Sequence, residues 1–147
     1  MPRTRPATAE PSAGPAAEPA DTFGELVADV FARDCPSRRT VEDVAGKWGI
    51  LALVALAAGP FRFNALRRRV DGVSEKMLAQ TLHALERDGM VTREVQATIP
   101  PHVEYALTGL GERVAGHLGA LIELVEGELP RILAAQARYD AVRNGPA

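Results

Sequence analysis

Apolar residues at Phe23, Leu26, Val27, Val30 and Phe31 recur at helical spacing and predict a first amphipathic helix. Thr22, with Glu25 three residues later, has the form of a capping box that would start it. Pro36 ends it, because proline disfavours the helical conformation in the residue before it. A second helical stretch runs from Arg38 to Ala45. Lys47 to Ala58 is apolar nearly all round, with Trp48, Ile50, Leu51, Leu53, Val54 and Leu56. That pattern belongs to a buried central helix, and Gly59-Pro60 stops it. Arg62 to Arg69 reads as a short helix with Phe63, Leu66 and Val70 inward and Arg67, Arg68 and Arg69 mostly outward.

After a tight turn at Asp71-Gly72-Val73, Ser74 is placed to cap a new helix through its hydroxyl oxygen. Leu78, Leu82 and Leu85 form the inner face of that helix, and Gly89 supplies a left-handed C-cap. Its outer face carries Lys76, Gln80, His83 and Arg87. Met90 to Val95 and Val103 to Leu107 alternate as two strands around a loop at Gln96 to His102. Thr108 then caps a long helix with Leu110, Val114, Leu118, Leu121 and Val125 on one stripe. Pro130 interrupts it.

These elements predict a mainly α fold with a small β-hairpin. Residues 1–21, rich in proline and alanine, have too few large apolar groups to offset the entropy of ordering and are expected to be disordered. Residues 22–130 form the expected domain, and 131–147 a helical, fraying tail.

Nearly half the residues are hydrophobic but only 5% are aromatic, so the core must be aliphatic. The net charge of −2 hides a gradient: residues 36–94 carry ten basic and seven acidic side chains, whereas both flanks are acidic. Local field matters more than total charge for a nucleic-acid partner, so the middle of the chain is permissive for one. Cys35 is the single cysteine, which excludes an intramolecular disulfide framework and fits a reducing, cytoplasmic setting. No apolar run approaches the roughly 18 residues of a membrane span.

A short helix, a glycine turn and a capped second helix followed by a hairpin make a winged helix-turn-helix. A major groove about 12 Å wide admits one helix, and its first turns face the base edges. Ser74, Lys76, Met77, Gln80 and His83 are the expected groove readers; lysine suits guanine and glutamine suits adenine. Arg62, Arg67, Arg68 and Arg87 are candidate phosphate contacts, and Arg93 and His102 flank the wing loop. The alternative is a winged-helix module that binds another protein without specific DNA binding.

From Cys35 to about Leu121 the chain resembles the HxlR-type winged helix-turn-helix regulators of bacteria. The matching blocks are Cys35-Pro36, Gly46-Lys47-Trp48, Gly59 to Arg67, Val73 to Leu78, Leu82 to Val91 and Pro100 to Thr108. The resemblance implies transcriptional regulation, more often by repression, and a homodimer built from the N-terminal and long C-terminal helices. Two recognition helices would then read a palindromic operator on double-stranded DNA. The dimerisation residues expected are Phe23, Leu26, Val27, Val30 and Phe31, with Val114, Leu118, Leu121 and Val125. Both stripes lie outside a compact winged-helix core and need a cover.

Three positions depart from the family pattern. Gln96-Ala97 stand where Tyr-Pro is usual, and His102 stands for an arginine, which removes a permanent wing charge. Gly49 replaces a residue that is usually threonine, which would loosen the central helix or open space for a ligand. In some relatives a cysteine placed like Cys35 senses oxidants, so Cys35 is a candidate redox sensor and a small-molecule or redox effector a candidate partner. Arg33, Arg38 and Arg39 favour its thiolate and Asp34 opposes it.

No cofactor or metal is called for. His83, His102 and His117 lie on separate elements without zinc-site spacing. Gly109-Leu-Gly111 opens a helix, but Val114 stands where a dinucleotide fingerprint needs its third glycine. No nucleophile, base and orienting group assemble, so no enzyme is expected.

Overall fold

Leucines spaced three and four apart on neighbouring helices have to share one interior, and here they do. A computed structural model describes residues 30–145. The Pro/Ala tail, the Thr22–Glu25 box and the stripe positions Phe23, Leu26 and Val27 lie outside the described residues. The chain divides at Arg38/Arg39 into two units. In the first, Phe31 is 75% exposed and its carbonyl accepts a bond from the Arg38 guanidinium at 3.2 Å.

Helix α1 spans Pro36–Ala45, starting two residues earlier than the apolar pattern suggests, and α2 spans Lys47–Leu56. Between Phe61 and Arg69 the sequence reading needs correction. Phe61–Arg62 is a short strand, β1, and only Phe63–Arg69 is helical, as α3. The recognition-type helix α4 is Glu75–Arg87, followed by β2 (Val91–Gln96) and β3 (His102–Leu107). The expected hairpin is therefore part of a three-stranded antiparallel sheet in the order β1-β3-β2. Helix α5 covers Gly109–Gly127 and α6 covers Leu129–Arg143. The break falls at Glu128, ahead of Pro130, which occupies the first turn of α6, where its missing N–H costs nothing. The helical stretch expected after Pro130 lies in α6, which runs on to Arg143.

Leu53, Leu66, Leu78, Leu82 and Leu85, from α2, α3 and α4, are fully buried. Val91 and Tyr105 bring the sheet onto them, and Ala115 brings α5. The Phe63 and Tyr105 rings meet at 6.4 Å with a tilt of 52°.

Two glycines allow close approaches that any side chain would block. A Cβ on Gly49 would strike the Asp43 carbonyl of α1. The glycine therefore lets two helices come together, and it also lines a shallow depression with Trp48, Met77 and Gln80. A Cβ on Gly111 would likewise strike the Met90 carbonyl just after α4.

Candidate nucleic-acid interface

Helix α4 is built from its ends inward. The Met77 N–H donates to the Ser74 hydroxyl oxygen at 3.1 Å, satisfying one of the free donors of the first turn. Gly89, with φ of +76°, ends it in the left-handed region where a side chain is disfavoured. Leu78, Leu82 and Leu85 fix its rotation, so Lys76, Gln80, His83 and Arg87 form one exposed face. Met77 is 41% exposed at the edge of that face. Ser74 is exposed, and the cap uses one of its oxygen's two lone pairs, leaving its proton and the other lone pair for a ligand.

The start of α5 clamps the end of α4. Thr108 Oγ1 donates to the Gly89 carbonyl at 2.6 Å and accepts from the Gly111 N–H at 3.0 Å. The Thr108 N–H donates to the Met90 carbonyl at 3.0 Å. One threonine thus caps α5 and holds the exit of the recognition helix. The sequence pattern reveals the cap but not the second bond.

The basic residues of β1 and α3 diverge. Arg62 and Arg68 line a depression with Asn64, Pro101 and His102. Arg69 faces another, beside Leu51, Asp71 and Ile122. Arg67 is exposed.

Strand register separates the two wing residues. Arg93 pairs with Tyr105, whereas His102 pairs with Gln96 and Glu94 with Glu104. Side chains alternate across a sheet, so Arg93 and His102 leave the wing by opposite faces. His102 shares its face with Arg62, which pairs with Glu104. Thr98, in the loop, lies with Oγ1 3.0 Å from His102 Nδ1. Neither Asn64 nor Thr98 belongs to the apolar patterns; α3 brings the first to the site and the folded loop brings the second.

Behind α4, Asp88 Oδ2 is buried with no hydrogen-bond partner among the described residues. Burial raises the Asp88 pKa above its ordinary value, and a hydrogen bond with Asp43 and that group's negative charge raise it further. Arg87 and Arg39 pull it down. Cys35, half-buried, has Sγ 3.0 Å from Ser37 Oγ.

The stripe on α5 is divided. Val114 and Leu118 pack on the chain's own core, while Leu121 and Val125 are 50% and 45% exposed. Leu124, Leu129 and Leu133 extend the open apolar surface into α6. No helix among the described residues is long and apolar enough to cross a membrane.

Known proteins share this arrangement. The HxlR-like helix-turn-helix family matches residues 43–132. The uncharacterized HTH-type transcriptional regulator YtfH of Escherichia coli (strain K12) is 52% identical over 106 residues, 72% of this chain and 84% of that protein. The solved structure of ytfH from Salmonella typhimurium superposes with a TM-score of 0.69 at 51% identity, covering 73% of this chain and 96% of the other. The redox regulator HypR in its oxidized form gives a TM-score of 0.58 at 35% identity, covering 63% and 96%. Homologues and fold are those of regulators rather than enzymes. With a match over more than half its length and a capped, outward-facing helix where a reader of DNA is needed, this chain belongs to the HxlR-like helix-turn-helix family of transcriptional regulators.

Proposed function

We propose that this regulator is a cytoplasmic homodimeric repressor that binds a pseudo-palindromic operator with α4 in the major groove. The observation that carries the reading is the exposed row Lys76, Gln80, His83 and Arg87 on a helix whose other face is locked by three leucines. A helix held in rotation presents the same side chains to every duplex it meets, which specificity requires. Lys76 and Gln80 are the base readers, with Met77 beside them; Arg67 and Arg87 contact phosphates. Leu121 and Val125 face a second copy, together with the N-terminal stripe. A twofold dimer would set its two α4 helices about 34–36 Å apart, one turn of DNA.

Binding-site selection on random duplex with the full chain, at two salt concentrations, tests this. The expected result is a pseudo-palindrome with half-sites one turn apart and an affinity that falls steeply with salt. Recovery of no motif, with binding no tighter than about 10⁻⁴–10⁻⁶ M, would favour the protein-interaction module instead.

The likeness to HypR supports a second element of the reading, in which Cys35 senses oxidants and modulates the competent state. Mild oxidant should change operator affinity in the native chain and leave Cys35→Ser unaffected. Equal responses would remove Cys35 from the mechanism.

A further inference from the structure

The depression between α3 and the wing holds more chemistry than a patch of positive charge. Arg62 enters it from β1, Arg68 from α3 and His102 from the start of β3, with Asn64 between them. Two guanidiniums and an imidazole around one concavity match a tetrahedral oxyanion. The occupant consistent with the proposed function is a phosphodiester of the DNA backbone.

The loop determines how the histidine can take part. Thr98 Oγ1 donates its only proton to the Pro100 carbonyl oxygen at 3.0 Å. The same oxygen lies 3.0 Å from His102 Nδ1 and has no second proton to offer, so it must accept one. The ring proton therefore sits on Nδ1, in the chain Nδ1–H to Thr98 Oγ1–H to Pro100 carbonyl. Nε2 is the ring atom left for a ligand. In the neutral ring Nε2 is a bare lone pair, which has nothing to give a phosphate oxygen. Only the imidazolium has a second N–H to donate.

We propose that His102 is a proton-dependent phosphate clamp at the root of the wing, completing with Arg62 and Arg68 a site for one backbone phosphate of bound DNA. The charged groups around the ring are Arg62 and Arg68 on the α3 side and Glu104 two residues along β3. Glu94 stands opposite Glu104 on β2, and Gln96, opposite His102, is neutral. Only the protonated ring can donate from both nitrogens, so DNA binding is coupled to uptake of a proton by the clamp. Affinity is then highest on the acid side and declines as pH rises. An arginine at this position would hold the phosphate at every pH; the histidine makes the contact conditional.

This inference rests on the DNA-binding reading, and the test separates the two. The full chain is titrated against a fluorescent duplex at about pH 6 and about pH 8, on either side of the imidazole range, across a salt series. Wild type should bind on the order of tenfold tighter at the lower pH. Its log–log salt slope there should be steeper by about one for each His102 engaged, because one more phosphate is neutralised. His102→Gln should bind as weakly as wild type at the higher pH and lose the pH-dependent change in slope. His102→Arg should bind tightly at both. Thr98→Val, which frees Nδ1 and lets the other tautomer form, should reduce the pH contrast while leaving the fold intact by circular dichroism.

A wild type with equal affinity and slope at both pH values overturns the clamp and leaves the DNA-binding reading standing. So does a full pH contrast in His102→Gln, which would point to His83 on the recognition face. Absence of salt-dependent duplex binding by any form at either pH overturns both.

Discussion

Gln80 and Arg67 are both exposed and both belong to the proposed interface, yet their loss should read out differently. Gln80→Ala removes a bidentate partner for a base and should cost about 1–3 kcal/mol on the selected operator, with little change on random duplex. Arg67→Ala removes a phosphate contact and should weaken both alike, flattening the salt slope by about one. Filter binding of both variants to both duplexes checks this, and equal losses on the two DNAs for Gln80→Ala would reassign it. Asp88 bears on stability instead. Its carboxyl is pushed up by burial and by Asp43, so the folded state holds the proton more tightly than the unfolded chain. That contribution is complete at pH below the ordinary carboxylate value and is lost as pH rises through the raised one. Once ionised, the group, with Oδ2 buried and given no hydrogen-bond partner among the described residues, works against folding. Asp88→Asn should therefore raise the melting temperature at neutral pH, and the gain should shrink as the solution is acidified. A gain that persists in acid would mean that packing, not charge, is the cause.

Among the elements, α4 and α5 act as a pair. Thr108 bonds to Gly89 and Met90, and Gly111 lies against the Met90 carbonyl, so the entry of the long helix and the exit of the recognition helix form one joint. Gly111→Ala would force a methyl group against backbone that has no side-chain freedom to yield. It should cost about 1–3 kcal/mol in chemical unfolding. It should also weaken operator binding, though the residue faces no DNA in the proposed complex, because α4 must shift at its C-terminus. Unchanged stability would mean the joint is looser than these distances imply. Ser74 belongs at this scale too. Its pattern marks it as a groove reader, and its oxygen also holds the first turn of α4, so in the proposed complex it would also shape the helix that does the reading.

For the whole molecule, the open surface from Leu121 through Leu133 matters most. An apolar strip of this kind, interspersed with three glutamates and Arg131, is costly to leave in water. Leu121→Glu is expected to convert the proposed dimer into a monomer in sedimentation, and to reduce operator affinity far more than half-site affinity. A dimer that survives the substitution would place the interface elsewhere. Val114 and Leu118 are poor choices for the same experiment, since they pack on the chain's own core and a charge there would disturb the fold as well as the interface.

Local chemistry determined much of this protein in advance. The three-leucine face of α4, its serine cap and its glycine exit, the alternation of the wing strands and the threonine at the head of α5 are all set within a few residues of one another. Such features depend on helical or strand period and on which backbone groups a side chain can reach. The outward row from Lys76 to Arg87 follows directly from them. Long-range pairing decided the rest. Phe61–Arg62 is a strand only because the free edge of β3 lies beside it, and two residues are too few to carry a period. Register parity sends Arg93 and His102 to opposite faces, which no inspection of the hairpin loop reveals. The meeting of Arg62, Arg68, Thr98 and His102, and of Asp43 with Asp88, joins residues tens of positions apart through contacts that exist only once the sheet closes on α3 and α4 settles into the core.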